Sequence, residues 1–159
     1  MSSGTLTREQ LEHLVASGDV DTVSVVFSDL YGRLMGKRFD ARFFLDSVAA
    51  HGTHGCDYLL TVDMEMEPVA GYDFANWEKG YGDVHLQPVD NTLRLASWLD
   101  RTAIVICNVT EEATHKPLPV APRSLLQTQV DKATEQGFSA MAASELEYYL
   151  FENTYRDAA

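Results

Sequence analysis

The 159 residues suffice for one ordinary domain, or for a small domain and the start of a second, and a chain that is 45% hydrophobic and 23% charged is not a disordered one. Twelve Lys and Arg stand against 24 Asp and Glu, a net charge of -12, so the molecule repels phosphate backbones and anionic lipid while favouring metal ions or amines, and nucleic acid is not an expected partner. Cys56 and Cys107 form no CxxC or disulfide pattern, which suits a reducing cytosol. With no export signal at the N-terminus and no apolar run of about 18 residues, a cytoplasmic protein that does not span a membrane is expected.

In chain order, Thr7 and Gln10 have capping-box spacing, and Leu11, Leu14 and Val15 recur at helical intervals until Gly18. A short amphipathic helix is predicted there. TVSVVFSDL (22–30) is β-branched and apolar, and YGR turns it into LMGKRF, which predicts a hairpin. Asp40 can cap a second helix with Phe44, Leu45 and Val48 on one face, ended by the glycines of AHGTHG. YLLTVDM is expected to be a strand, followed by a loop over 65–80 and then the strands YGDVHLQP, TLRLASW and AIVICNV. Two strands, a helix and more strands is the order of an α+β, β-grasp sheet. The division expected is an N-terminal helix (1–19), a β-grasp domain (20–110), a Pro-rich linker (111–121) and the start of a second domain (122–159).

Pro122 opens a helix, PRSLLQTQVDKATEQ, with Leu126, Val130 and Ala133 on one face and Gly137 as its stop. A strand is predicted from Phe138 to Asn153, and a helix with one strand cannot make a core of their own. The chain therefore reads as cut off just inside its second domain.

Three groups of residues have chemistry in them. In the predicted last strand, Glu145, Glu147, Tyr149 and Phe151 share one face. Either this is a half-exposed strand with charges at its edge, or the two carboxylates line a cleft and are compensated by divalent metal, Mg²⁺ or Mn²⁺. His51, His54, Cys56 and Asp57 are zinc-ligand types, but a structural zinc site uses two separated pairs and no second pair exists, so HGTHGCD reads as a glycine-rich helix exit. The 64–83 loop interleaves acids with Tyr72, Phe74, Trp77 and Tyr81, a mixture that holds an organic cation or packs a subunit interface. No Walker-type loop, Ser/His/Asp arrangement or dinucleotide fingerprint is present.

Taken together, VVFSDLYGRLMGKRF, GYGDVHLQPVDNTLRLASW, PRSLLQ and ASELEYYLFE resemble, in order and spacing, stretches of the bacterial type I glutamine synthetases. The resemblance implies a β-grasp domain followed by the first helix and strand of a glutamine synthetase-type catalytic domain. It further implies that Glu145 and Glu147 each ligate one of two Mg²⁺ or Mn²⁺ ions, and that ATP converts the γ-carboxylate of glutamate to γ-glutamyl phosphate, from which an amine displaces phosphate. A homo-oligomer, a dodecamer of two stacked hexameric rings with the active site between subunits, is also implied. The family's D-G-S-S, whose aspartate binds ammonium in the neighbouring subunit's site, is absent, and Asp63 stands in the corresponding region. Val89 replaces the usual aspartate after Pro88, and Ser97 the usual proline before Trp98. These departures resemble the γ-glutamylamide branch, whose acceptors are polyamines, ethanolamine or other amines. The alternatives are an ammonia-dependent glutamine synthetase and a stand-alone β-grasp binding module without catalysis. The 159 residues alone are expected to be inactive.

Overall fold

The computed structural model describes residues 4–158. Helix α1 (Arg8–Ser17) starts where Thr7 accepts from the Gln10 amide while the Gln10 side chain accepts from the Thr7 amide, and it stops at Gly18 with φ +82. Leu11 and Val15 are its buried residues. The hairpin forms as expected from β1 (Thr22–Ser28) and β2 (Leu34–Asp40), paired antiparallel from Thr22↔Asp40 to Ser28↔Leu34. Gly36 is needed in β2, because a Cβ there would lie 2.8 Å from the Val26 Cα and nearer still to the Val25 carbonyl oxygen.

Helix α2 (41–51) begins at the Asp40 cap and runs through an α-helical turn, a π-helical segment Phe44–Val48 and a last α turn. The wider π turn brings Phe44, Val48 and Ala49 all into the core. Gly52 ends it with φ +70 and ψ -164, a conformation open in practice to glycine alone.

Beyond Gly52 the strand assignments shift. Thr53–Cys56, expected as a helix exit, is strand β3, while the predicted strand YLLTVDM opens as a 3₁₀ turn, Asp57–Leu60, and only Val62 makes a bridge, to Pro68. Apolarity in 58–62 therefore reflects burial of Leu60 and Val62 rather than pairing. Strand β4 (Asp83–Pro88) forms as expected, but TLRLASW contributes a 3₁₀ turn ending at Thr92 and the two-residue β5 (Arg94–Leu95). The Thr92 hydroxyl donates to the Val89 carbonyl and accepts from the Ile106 amide, and these bonds hold the backbone in a turn.

Strand β6 (Thr102–Glu111) organises a six-stranded mixed sheet in the order β2-β1-β6-β4-β3, with β5 also against β6. It runs parallel to β1 and antiparallel to β4. One face, with Val23, Val25, Phe27, Leu86, Val105 and Val109, meets α1 and α2 in the main core, and Val26, Ala96 and Ile104 form a small cluster apart. After β6, the Leu118 amide returns to the Val109 carbonyl, and Leu118 and Ala121 are buried in the main core.

Helix α3 (Pro122–Glu135) forms as expected with Pro at its start, but none of its residues is buried, and Leu126 and Val130 stay exposed. The strand predicted over Phe138–Asn153 is not formed, and Leu146, Tyr149 and Leu150 are 87%, 88% and 90% exposed. A strand is stable only against a partner that takes its amides and carbonyls, and among the described residues this segment has none. Among the described residues, no helix is long and apolar enough to cross a membrane.

Candidate functional site

Asp63 lies in a tight turn after the 3₁₀ segment. One of its carboxylate oxygens, Oδ1, accepts from the Glu65 and Glu67 amides at 2.9 and 3.0 Å, and its own amide donates to the Glu67 carbonyl at 2.9 Å. That closes a loop around one aspartate side chain. Met66 completes it at φ +70, in the left-handed region that costs a non-glycine residue energy.

The hairpin tip reaches this turn from 30 residues upstream. Asp29 is buried at 2% exposure and accepts from the Tyr31 and Arg33 amides at 2.9 and 2.8 Å and from Arg33 Nε at 2.6 Å. Arg33 then donates from Nη2 to the Asp63 carbonyl at 2.7 Å and from Nη1 to the Met64 carbonyl at 2.9 Å. A buried carboxylate so paired is compensated, and it orients the guanidinium fork toward the loop. The sequence holds a trace of this arrangement in Asp29, Gly32 and Arg33, but nothing local shows that Arg33 meets Asp63.

Glu145 and Glu147 lie in the exposed segment after α3. Among the described residues neither makes a hydrogen bond or ion pair, and no group of three His, Cys, Asp or Glu side chains is arranged to hold a metal ion. The two carboxylates and Asp63 sit on separate parts of the chain, the glutamates outside the sheet and Asp63 beside it.

The residues of HGTHGCD take different partners. His54 pairs with Glu112 at 3.0 Å, Asp57 accepts from the Gly82 amide at 3.1 Å, and the His51 carbonyl receives Nε2 of the buried His85 at 2.9 Å. Because a carbonyl only accepts, His85 carries a proton on Nε2, and its Nδ1 lies 3.3 Å from His115 Nδ1 and 3.2 Å from the Thr110 hydroxyl. This tie between α2 and β6 has no local signal in the sequence. In the 64–83 loop, a cavity of about 350 Å³ is lined by Tyr72, Asp73, Trp77, Glu78 and Tyr81, with the Trp77 and Tyr81 rings edge to face at 5.1 Å. Aromatic faces beside carboxylates suit an organic cation.

No protein-family model matches the chain. Over 150 residues, 94% of its length, it is 45% identical to the gamma-glutamylethanolamide synthetase GlnA4 of Streptomyces coelicolor, covering 32% of that protein. It is 32% identical over 145 residues to a glutamate–isopropylamine ligase of a Pseudomonas species, covering 91% of this chain and 31% of the other. A solved structure of a novel glutamine synthase homolog superposes with a TM-score of 0.61 over 74% of this chain and 27% of its own, at 21% identity, a likeness of fold alone. The chain is the N-terminal part of a glutamine synthetase-type protein.

This glutamine synthetase-type chain spans about a third of the length of the curated relatives it matches. It also superposes on the GmaS–ADP complex with a TM-score of 0.59 over 79% of its residues and 26% of that chain, again at 21% identity. Lengsin of Homo sapiens is 30% identical over 161 aligned residues, with 94% of this chain and 30% of lengsin covered.

Proposed function

We propose that the chain is the N-terminal portion of an ATP-dependent ligase that joins the γ-carboxylate of glutamate to an amine other than ammonia, through γ-glutamyl phosphate. The observation that carries this is the 45% identity to a gamma-glutamylethanolamide synthetase over 94% of the chain, together with the absence of D-G-S-S from the 61–80 region. The mixed sheet with α2 across it is read as a β-grasp domain that presents the Asp63 turn and the aromatic loop to a neighbouring subunit of a homo-oligomer. Asp63 is assigned to the amine side of the reaction, where a carboxylate favours the cationic acceptor.

Glu145 and Glu147 are assigned to Mg²⁺ or Mn²⁺. The fit is one of donor chemistry: both are carboxylates without a competing partner among the described residues, and hard divalent cations take such oxygens. Bound there, the metal supplies charge neutralisation for the transferring phosphoryl group. The two glutamates themselves provide the negative charge and, once their segment is held in a sheet, a common face.

The test is phosphate release by the full-length enzyme with glutamate, ATP and a panel of ethanolamine, isopropylamine, putrescine and ammonium. Turnover is expected with an alkyl amine in preference to ammonium, and Glu147→Ala is expected to lower it by at least ~100-fold. Equal activity in the variant removes the metal assignment, and a preference for ammonium makes the enzyme a glutamine synthetase.

A further inference from the structure

We infer that Arg33, anchored by Asp29, is a positioning residue that holds the 63–67 turn so that the free carboxylate oxygen of Asp63 faces the acceptor amine. The inference rests on the proposed function for its chemistry, and on the hairpin-to-loop geometry for its placement.

The guanidinium uses all three nitrogens. Nε is held by a buried carboxylate, while Nη1 and Nη2 hold two successive carbonyls, those of Met64 and Asp63. Asp29 cannot swing to follow a moving arginine, because its Oδ1 is committed to the Tyr31 and Arg33 amides. The anchor is thus part of the hairpin tip, where Gly32 turns at φ +82, and the tip is tied to the main sheet through β1.

The turn needs such support. It places Met66 at φ +70, and its backbone is held by the Asp63–Glu67 bond, a longer bond of 3.2 Å from the Met66 amide to the Asp63 carbonyl, and, at its base, the Val69 amide to the Thr61 carbonyl with the Val62–Pro68 bridge. Within it, Asp63 Oδ1 is consumed by the Glu65 and Glu67 amides, whereas Oδ2 has no partner among the described residues. One carboxylate oxygen therefore sets the turn, and the other remains for a ligand. Holding the Asp63 carbonyl fixes the backbone from which that second oxygen projects. A lysine would keep the charge at position 33, but a single ammonium cannot span Asp29 and two carbonyls in one plane.

The test is Arg33→Lys. In the 159-residue chain, hydrogen exchange of the Glu65 and Glu67 amides is expected to accelerate at least ~10-fold, while amides of β1 and β6 keep their protection. In the full-length ligase, KM for ethanolamine is expected to rise ~10-fold, with KM for glutamate and for ATP within about twofold of wild type. If the substitution also lowers protection in β1 and β6, Asp29→Asn, which keeps the shape of the anchor and removes its charge, is expected to give the same local pattern. Unchanged exchange at Glu65 and Glu67 overturns the clamp, and unchanged ethanolamine KM in an active variant overturns its link to the acceptor. Absence of amine-dependent turnover in the wild-type enzyme contradicts the proposed function instead, and the exchange measurement still decides the clamp.

Discussion

Gly52 shows what a single position has to satisfy here. A Cβ on it would meet the Leu86 carbonyl oxygen and the His85 ring, both within 2.7 Å, and its φ of +70 with ψ of -164 belongs to glycine. Neither neighbour can withdraw, since Leu86 is in β4 and His85 is bonded to the His51 carbonyl. Gly52→Ala is therefore expected to destabilise the chain by about 3 kcal/mol. Gly32→Ala has a similar φ of +82 with open space around its Cβ, and is expected to cost only about 1 kcal/mol. Urea denaturation of the two variants checks the difference, and equal losses would show that strain alone governs both sites. From sequence, AHGTHG signalled only that a helix stops, because the close approach of His85 comes from 33 positions away.

Among the elements, those closed by neighbours in sequence were legible. Helix α1 is an example: Thr7, Gln10 and Gly18 supply both of its ends within the segment itself. Thr7→Ala removes the hydroxyl that accepts from the Gln10 amide and is expected to cost about 1 kcal/mol, with Thr7→Ser close to wild type, as thermal unfolding would show. The same local logic located the β1–β2 hairpin, the Asp40 cap and the Pro122 start of α3. It failed for β3, whose THGC has little strand propensity and is paired only because β4 lies beside it. It failed in the other direction for 138–153, which has strand composition and alternation but no partner among the described residues. Propensity describes what a segment can pair with, and pairing requires the second strand.

For the molecule as a whole, the main core carries an ionisable group that links its stability to pH. Burial pushes the Cys107 thiol up from the usual 9.0 to about 12, against smaller opposite effects of the Val26 backbone and Arg123. The unfolded thiol ionises near 9.0 while the folded one stays neutral, so its contribution is fully present below that pH and is lost as pH rises toward about 12. Cys107→Ala is expected to flatten the fall in unfolding free energy above pH 9, measured by urea titrations at successive pH values. Identical slopes would mean that the thiol ionises alike in both states.

The order of the early elements, the acidic charge, the E-x-E pair and the likeness to glutamine synthetases were all determined by the sequence itself, since each depends on residue types at short or fixed spacing. Tertiary structure decided that β6 runs parallel to β1, that β3 exists, and that Arg33 holds the Asp63 turn. Those contacts join segments 27 to 80 positions apart. They form only because burying one face of the sheet under α1 and α2 brings the segments together, and no short window of sequence carries that constraint.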